Sequence, residues 1–196
     1  MQNIAGLSKL PALPFRKKTT YIEPMKKILV YPDEILRTEA KPVENIDGEL
    51  QKLIDDMAET MYKAKGVGLA ANQVGVLKRL FVMDISQGEN GERGELVVLI
   101  NPRIIGTEGQ DVMEEGCLSV PGFSAKLKRP AVVCVKALDR EGNEIELEGK
   151  GLFARCVLHE LDHLDGICFV DRLSPIKKAM FRKRWQKIKA EQEPKV

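Results

Sequence analysis

Apolar residues recur along this chain with two different periods, and the switches between them mark out the elements. Over residues 47–65, Leu50, Leu53, Ile54, Met57 and Met61 fall at i, i+3, i+4, i+7 and i+11, one stripe down a helix face. Asp47 stands where an N-cap belongs, and Gly66 where the helix should stop. Strand-like runs follow at 79–85, 95–101, 131–138 and 144–148. The last two flank Asp139-Arg140-Glu141-Gly142-Asn143, a glycine-containing loop that predicts a hairpin. Helical spacing returns over 151–164 and again from Ser174, which can cap a helix whose first residue, Pro175, has no N–H to lose. Helices and strands do not alternate as parallel βαβ units require. The predicted class is therefore α+β: antiparallel or mixed sheets packed around the 151–164 helix, with a second helix in the N-terminal half and a third at the C-terminus.

The first 24 residues interrupt the pattern with Pro11, Pro14, Pro24 and the basic run Arg16-Lys17-Lys18. The basic cluster follows the short apolar run instead of preceding it, the reverse of a secretory signal. A transit peptide would share the lack of acidic residues before Glu23, but serine is scarce, so organellar targeting is the less favoured reading. The expected organisation is a disordered leader at 1–24, with Met25 an alternative start, a main domain at 25–174, and a basic helix and tail at 175–196. At 196 residues, 43% hydrophobic and 31% charged, the chain suits one globular domain. No stretch approaches the roughly 18–20 apolar residues of a membrane span. Four cysteines without a CxxC pair read as reduced thiols, hence a cytoplasmic protein. The net charge of +2 conceals an asymmetry. Residues 175–196 hold eight Lys/Arg against two Glu, and residues 1–22 hold four basic side chains and no acidic one. Removing +6 and +4 from the total leaves the middle at −8, so any attraction to a polyanion belongs to the ends.

Chemistry concentrates at His159-Glu160-Leu161-Asp162-His163. On a helix, i and i+4 share a face, so both imidazoles can reach one ion while Glu160 stands beside it as a base. The plainer reading is an ordinary charged helix face. These are the only two histidines in the chain, so a third protein ligand must be of another type. Downstream of Gly166 the only glutamates are Glu191 and Glu193, in the charged tail, which leaves cysteine. Cys117 stands out because Gly116 and Pro121 bracket it in a non-helical turn, whereas Cys134 sits in a strand pattern and Cys156 on the helix itself. A third segment, residues 66–75, crowds small residues into a turn where backbone can pass close to something, but lacks a phosphate-loop pattern.

Together, Gly66–Gln73 (GxGLAAxQ), Glu115–Ser119 (EGCLS) and His159–His163 (HExDH) occur in the order that marks the peptide deformylases, and the chain resembles that family from about Met25 onward. The resemblance implies that Cys117, His159 and His163 bind one divalent metal, with water or hydroxide completing a tetrahedron. It implies Glu160 as general base and then acid, and the Gln73 amide and Leu118 backbone N–H as oxyanion donors. Val67, Gly68, Glu115 and Gly116 would line the substrate site, making 25–174 the catalytic domain. The implied reaction removes the formyl group from the N-terminal formyl-methionine of new proteins, releasing formate. Fe(II) is the implied physiological ion; an S,N,N donor set would also accept Zn(II), Ni(II) or Co(II). Two departures bear on peptide selectivity: Phe123-Ser124 stand where some relatives carry Arg or Tyr, and Leu158 where some carry Gln.

The implied partners are N-formyl-methionyl nascent peptides and, through the basic tail, the ribosome; a monomer is expected. Lys177, Lys178, Arg182, Lys183, Arg184, Lys187 and Lys189 would face a polyanion, with Phe181 and Trp185 interleaved. The competing picture is a solvated helix packed on the body through Ile176, Met180, Trp185 and Ile188. Two other classes share parts of the pattern: an HExxH endopeptidase, and a non-catalytic RNA-associated protein with a closed structural metal site.

Overall fold

The structure, a computed structural model, describes residues 26–86 and 93–192; the expected leader at 1–24 lies outside them, as does Glu193. Helix α1 (Gly48–Lys63) begins where Asp47 accepts from the Leu50 N–H at 2.9 Å. Its predicted stripe is buried against Leu69, Leu80, Val82, Val98 and Ile100. The stop signal differs from expectation. Lys65, with φ 56°, takes the left-handed position, and the Gly66 N–H closes the helix on the Met61 carbonyl at 2.9 Å. Gly66 instead leaves room for a neighbour: a Cβ there would come within 2.6 Å of Leu118 Cδ1, and the leucine side chain would have to shift.

Strands β1 (Gly68–Ala70), β2 (Leu80–Met83), β3 (Val97–Glu108), β6 (Val132–Leu138) and β7 (Glu144–Lys150) form a five-stranded sheet in the order β1-β2-β3-β6-β7. Strands β4 (Asp111–Cys117) and β5 (Val120–Arg129) form a separate hairpin. Every pairing between these strands is antiparallel; a lone Lys41–Lys78 bridge is parallel. The predicted β6–β7 hairpin is present, its loop fastened by Asp139 accepting from the Glu141 and Asn143 N–H groups. The sequence pattern did not reveal β1, β4 or β5. In β4 and β5 the alternation is masked because charged Glu115 and Arg129 lie on the buried face while Val112 is exposed. β3 continues to Glu108, past its predicted end, through two register shifts that bend it.

Helix α2 (Leu152–Leu164) is central, as predicted. Ala154, Val157, Leu161 and Leu164 pack on Phe81, Met83, Leu99, Val133 and Val135 of the large sheet. Helix α3 (Pro175–Gln192) starts with Ser174 as its cap, the Lys178 N–H bonding the Ser174 carbonyl at 2.8 Å. Its buried face is Phe181, Trp185 and Ile188, packed with Val120, Leu127 and Phe169. Ile176 and Met180 are 75% and 62% exposed, so the packing expected of them does not form. The reason is phase: Phe181, Trp185 and Ile188 lie at i, i+4 and i+7 on one face, which Ile176 and Met180 do not share.

Candidate metal centre

Three elements converge on one point. β4 ends at Cys117, α2 carries His159 and His163, and a single 3₁₀ turn (Ala71–Val74) carries Gln73. Helical spacing places the two imidazoles on one face, their centroids 5.0 Å apart. Strand spacing does the same for Glu115 and Cys117, two residues apart on β4. The Cys117, His159 and His163 donor atoms all lie within 4.8 Å of one another, with Cys117 Sγ 3.1 Å from His163 Nε2.

His159 Nδ1 is 3.1 Å from Glu115 Oε2. A carboxylate can only accept from a ring N–H, so Glu115 makes Nδ1 the donor and leaves the Nε2 lone pair for a metal. Glu115 is itself held by Arg129, at 2.6 and 2.9 Å, and by Arg155 at 2.7 Å. Arg129 continues to Asp162 at 2.7 Å, and Arg172 meets the same carboxylate at 2.6 and 3.1 Å. The fourth residue of the His-Glu-Leu-Asp-His segment is thus tied, through Arg129 and Glu115, back to its first. Burial would push Glu115 up, but His159 and the two guanidinia outweigh it and hold the carboxyl well below the usual range. Burial also pushes the Cys117 thiol up, and the facing His163 and His159 bring it down to about 5, in the direction of the thiolate that a metal ligand must be.

Glu160 is buried, and its Oε2 has no hydrogen-bond partner. Burial raises its pKa against the pull of His159 and His163, which suits a group that must hold a proton and release it. Gly68 makes this position possible: a Cβ there would meet Glu160 Oε1 at 2.5 Å and Cys156 Sγ at 2.7 Å. Gln73 lies opposite. Its Oε1 accepts from the Ala70 N–H at 2.9 Å, and its Nε2 donates to Ser119 Oγ at 3.1 Å and stands 3.7 Å from Cys117 Sγ.

One cysteine sulfur and two imidazoles with this spacing, His159 oriented by Glu115, fit a divalent transition metal that keeps a position open. Among the described residues this is the group able to hold such an ion. It borders a cavity of about 540 Å³ whose walls include Val67, Gly68, Gln73, Gly116, Leu118 and Glu160. Glu115 also reaches this wall, its carboxylate committed to His159, Arg129 and Arg155. Phe123 and Ser124 line the cavity, whereas Leu158 packs against the α2 core. Sequence reasoning assigned no role to Arg129, Arg155, Asp162, Arg172 or Ser119. Asp162 and Ser119 stand inside the quoted motifs and could have been questioned; the arginines carry no local signal.

The family model for polypeptide deformylases matches residues 25–179. Over 160 residues the chain is 56% identical to a peptide deformylase of Thermodesulfovibrio yellowstonii, covering 82% of this chain and 96% of that one. The crystal structure of a peptide deformylase from Legionella pneumophila is similar with a TM-score of 0.81 at 50% identity, covering 88% of this chain and 100% of that one. One from Ehrlichia chaffeensis, in complex with actinonin, gives a TM-score of 0.78 at 38% identity, covering 87% and 99%. Sequence, fold and the three converging motifs agree: the chain belongs to the polypeptide deformylase family, enzymes that remove the N-formyl group from nascent peptides.

Proposed function

We propose that Cys117, His159 and His163 hold one divalent metal, Fe(II) in the cell, with Zn(II), Ni(II) or Co(II) as substitutes, and that Glu160 is the proton carrier of deformylation. The observation that carries this is the buried Glu160 carboxylate, with one unpartnered oxygen, in the wall of the cavity that the metal donors border. When bound, such an ion polarises the formyl carbonyl and can lower the pKa of coordinated water from about 15.7 towards about 7. Glu160 Oε2 takes a proton from the attacking water. The Gln73 Nε2–H and the Leu118 backbone N–H meet the charge that develops on the formyl oxygen. As the C–N bond breaks, Glu160 returns the proton to the methionine nitrogen, leaving formate and a free amine. Val67 and Gly68, at the sheet's edge strand, and Glu115 and Gly116 on β4 offer backbone to an extended peptide, so Glu115 contributes here through its main chain.

Gln73→Leu tests the division of labour: turnover should fall by about 10²–10³, the usual effect of removing an oxyanion donor, with metal content unchanged. Loss of metal in that variant would contradict the role.

The enzyme acts in this reading as a cytoplasmic monomer on N-formyl-methionyl nascent peptides. Among the described residues no helix is long and apolar enough to cross a membrane. Arg182, Lys183, Arg184, Lys187 and Lys189 are exposed on α3, beside exposed Ile176 and Met180. That surface supports docking on ribosomal RNA. Truncation after Ser174 should abolish co-sedimentation with ribosomes at low salt; unchanged co-sedimentation would refute the docking.

A further inference from the structure

We propose that Ser119 is a positioning residue for the Gln73 carboxamide, its hydroxyl holding the amide in the one orientation that presents an N–H to the reacting oxygen. The proposal rests on the reading of Gln73 as an oxyanion donor. A glutamine amide turns easily about its last torsion, and its two ends differ in charge. If it turned over, a carbonyl would face the developing oxyanion. Two contacts oppose this. The Ala70 N–H can only donate, so it selects Oε1, at 2.9 Å. Ser119 Oγ accepts one Nε2 hydrogen at 3.1 Å. The other Nε2 hydrogen is directed at Cys117 Sγ, to which it donates at 3.7 Å. A bond to sulfur is weak, so a substrate oxygen arriving beside the sulfur can compete for that hydrogen. Gln73 and Ser119 are each 1% exposed, so their contact is shielded from bulk water.

The main chain fixes the distance between the pair. Ser119 and Leu118 form the two-residue turn that joins β4 to β5, so the serine and the second proposed donor move as a unit. The Leu29 N–H bonds the Gln73 carbonyl at 2.8 Å, and the Tyr31 N–H bonds the Ser119 carbonyl at 2.9 Å. Two amides on one short segment thus tie together the turn carrying Gln73 and the turn carrying Ser119. Tyr31 in turn packs edge-on against Phe181 and Trp185 of α3, at 5.5 and 5.9 Å, which steadies the segment.

The test uses the full-length, metal-loaded enzyme. In Ser119→Ala, kcat should fall about 5–10-fold, the scale of one net hydrogen bond, with KM and metal content unchanged. A purely structural serine would lower stability instead and leave kcat per folded, metal-loaded molecule intact, which would overturn the proposal. In a Gln73→Ala background, Ser119→Ala should have no further effect on kcat. Effects that multiply would overturn this inference alone. A Gln73→Ala variant with full turnover would overturn the oxyanion reading and this inference with it. The wild-type protein supplies a readout that needs no Ser119 variant to fold. Its Gln73 side-chain amide, assigned in the zinc-loaded enzyme by its loss in Gln73→Leu, should exchange its protons with water at least about tenfold more slowly than free glutamine. Exchange at the rate of free glutamine would refute the proposal.

Discussion

Glu115 has three cationic or proton-donating neighbours inside the protein, Arg129, Arg155 and His159, and this governs both the site and the stability around it. Burial of a carboxylate is unfavourable unless such partners compensate it, and here they overcompensate, lowering its pKa from the ordinary 4.5. The sign follows. A carboxyl whose folded value is depressed stabilises the protein fully above its unfolded value, and that contribution is lost as pH falls through the folded value. The difference in unfolding free energy between wild type and Glu115→Gln, both stripped of metal, should therefore be full above about pH 4.5 and shrink below it. Urea unfolding at several pH values checks this, and a pH-independent gap would contradict it. Little of this network was legible in the sequence. The histidines and Cys117 stand out by scarcity and spacing, but Arg129 lies 14 residues from Glu115 and reaches it only because β5 folds back on β4.

Among the elements, α1, α2 and the β6–β7 hairpin were legible because each buries one clean face or carries distinctive turn chemistry. β4 and β5 were not, since their buried side carries the charged Glu115 and Arg129 and the turn between them looked like an isolated loop. α3 was legible as a helix but not in phase, because its apolar face is set by three residues among many cations. Trp185 is the centre of that face, stacked on Phe181 at 5.6 Å and edge-on to Tyr31. Its indole N–H is buried without a partner. Trp185→Ala should cost about 3–5 kcal/mol, as large aromatic truncations do. Trp185→Phe should cost much less, because it keeps a ring while removing an unsatisfied donor. Equal losses in chemical denaturation would contradict this account of α3.

At the scale of the whole molecule, the large sheet serves as the wall on which α2 is laid, and the β4–β5 hairpin swings Cys117 across to meet it. The sheet's edge strand and the hairpin leave between them the cavity into which Gln73, Glu160 and the metal donors converge. The turn after α1, which carries the first motif, packs tightly against the other two. Gly66 and Gly68 admit Leu118 and Glu160, which explains why small residues crowd that turn. The central claim is that this cavity hydrolyses a formamide with Glu160 as its proton carrier, and formate release from a formyl-Met tripeptide measures it directly. Freshly metallated wild type should release formate and leave internal peptide bonds intact. Glu160→Ala should keep its metal and lose about 10²–10⁴ in turnover, the range for general acid–base catalysis. Cleavage of an internal bond without formate, or formate release undiminished in Glu160→Ala, would contradict the account.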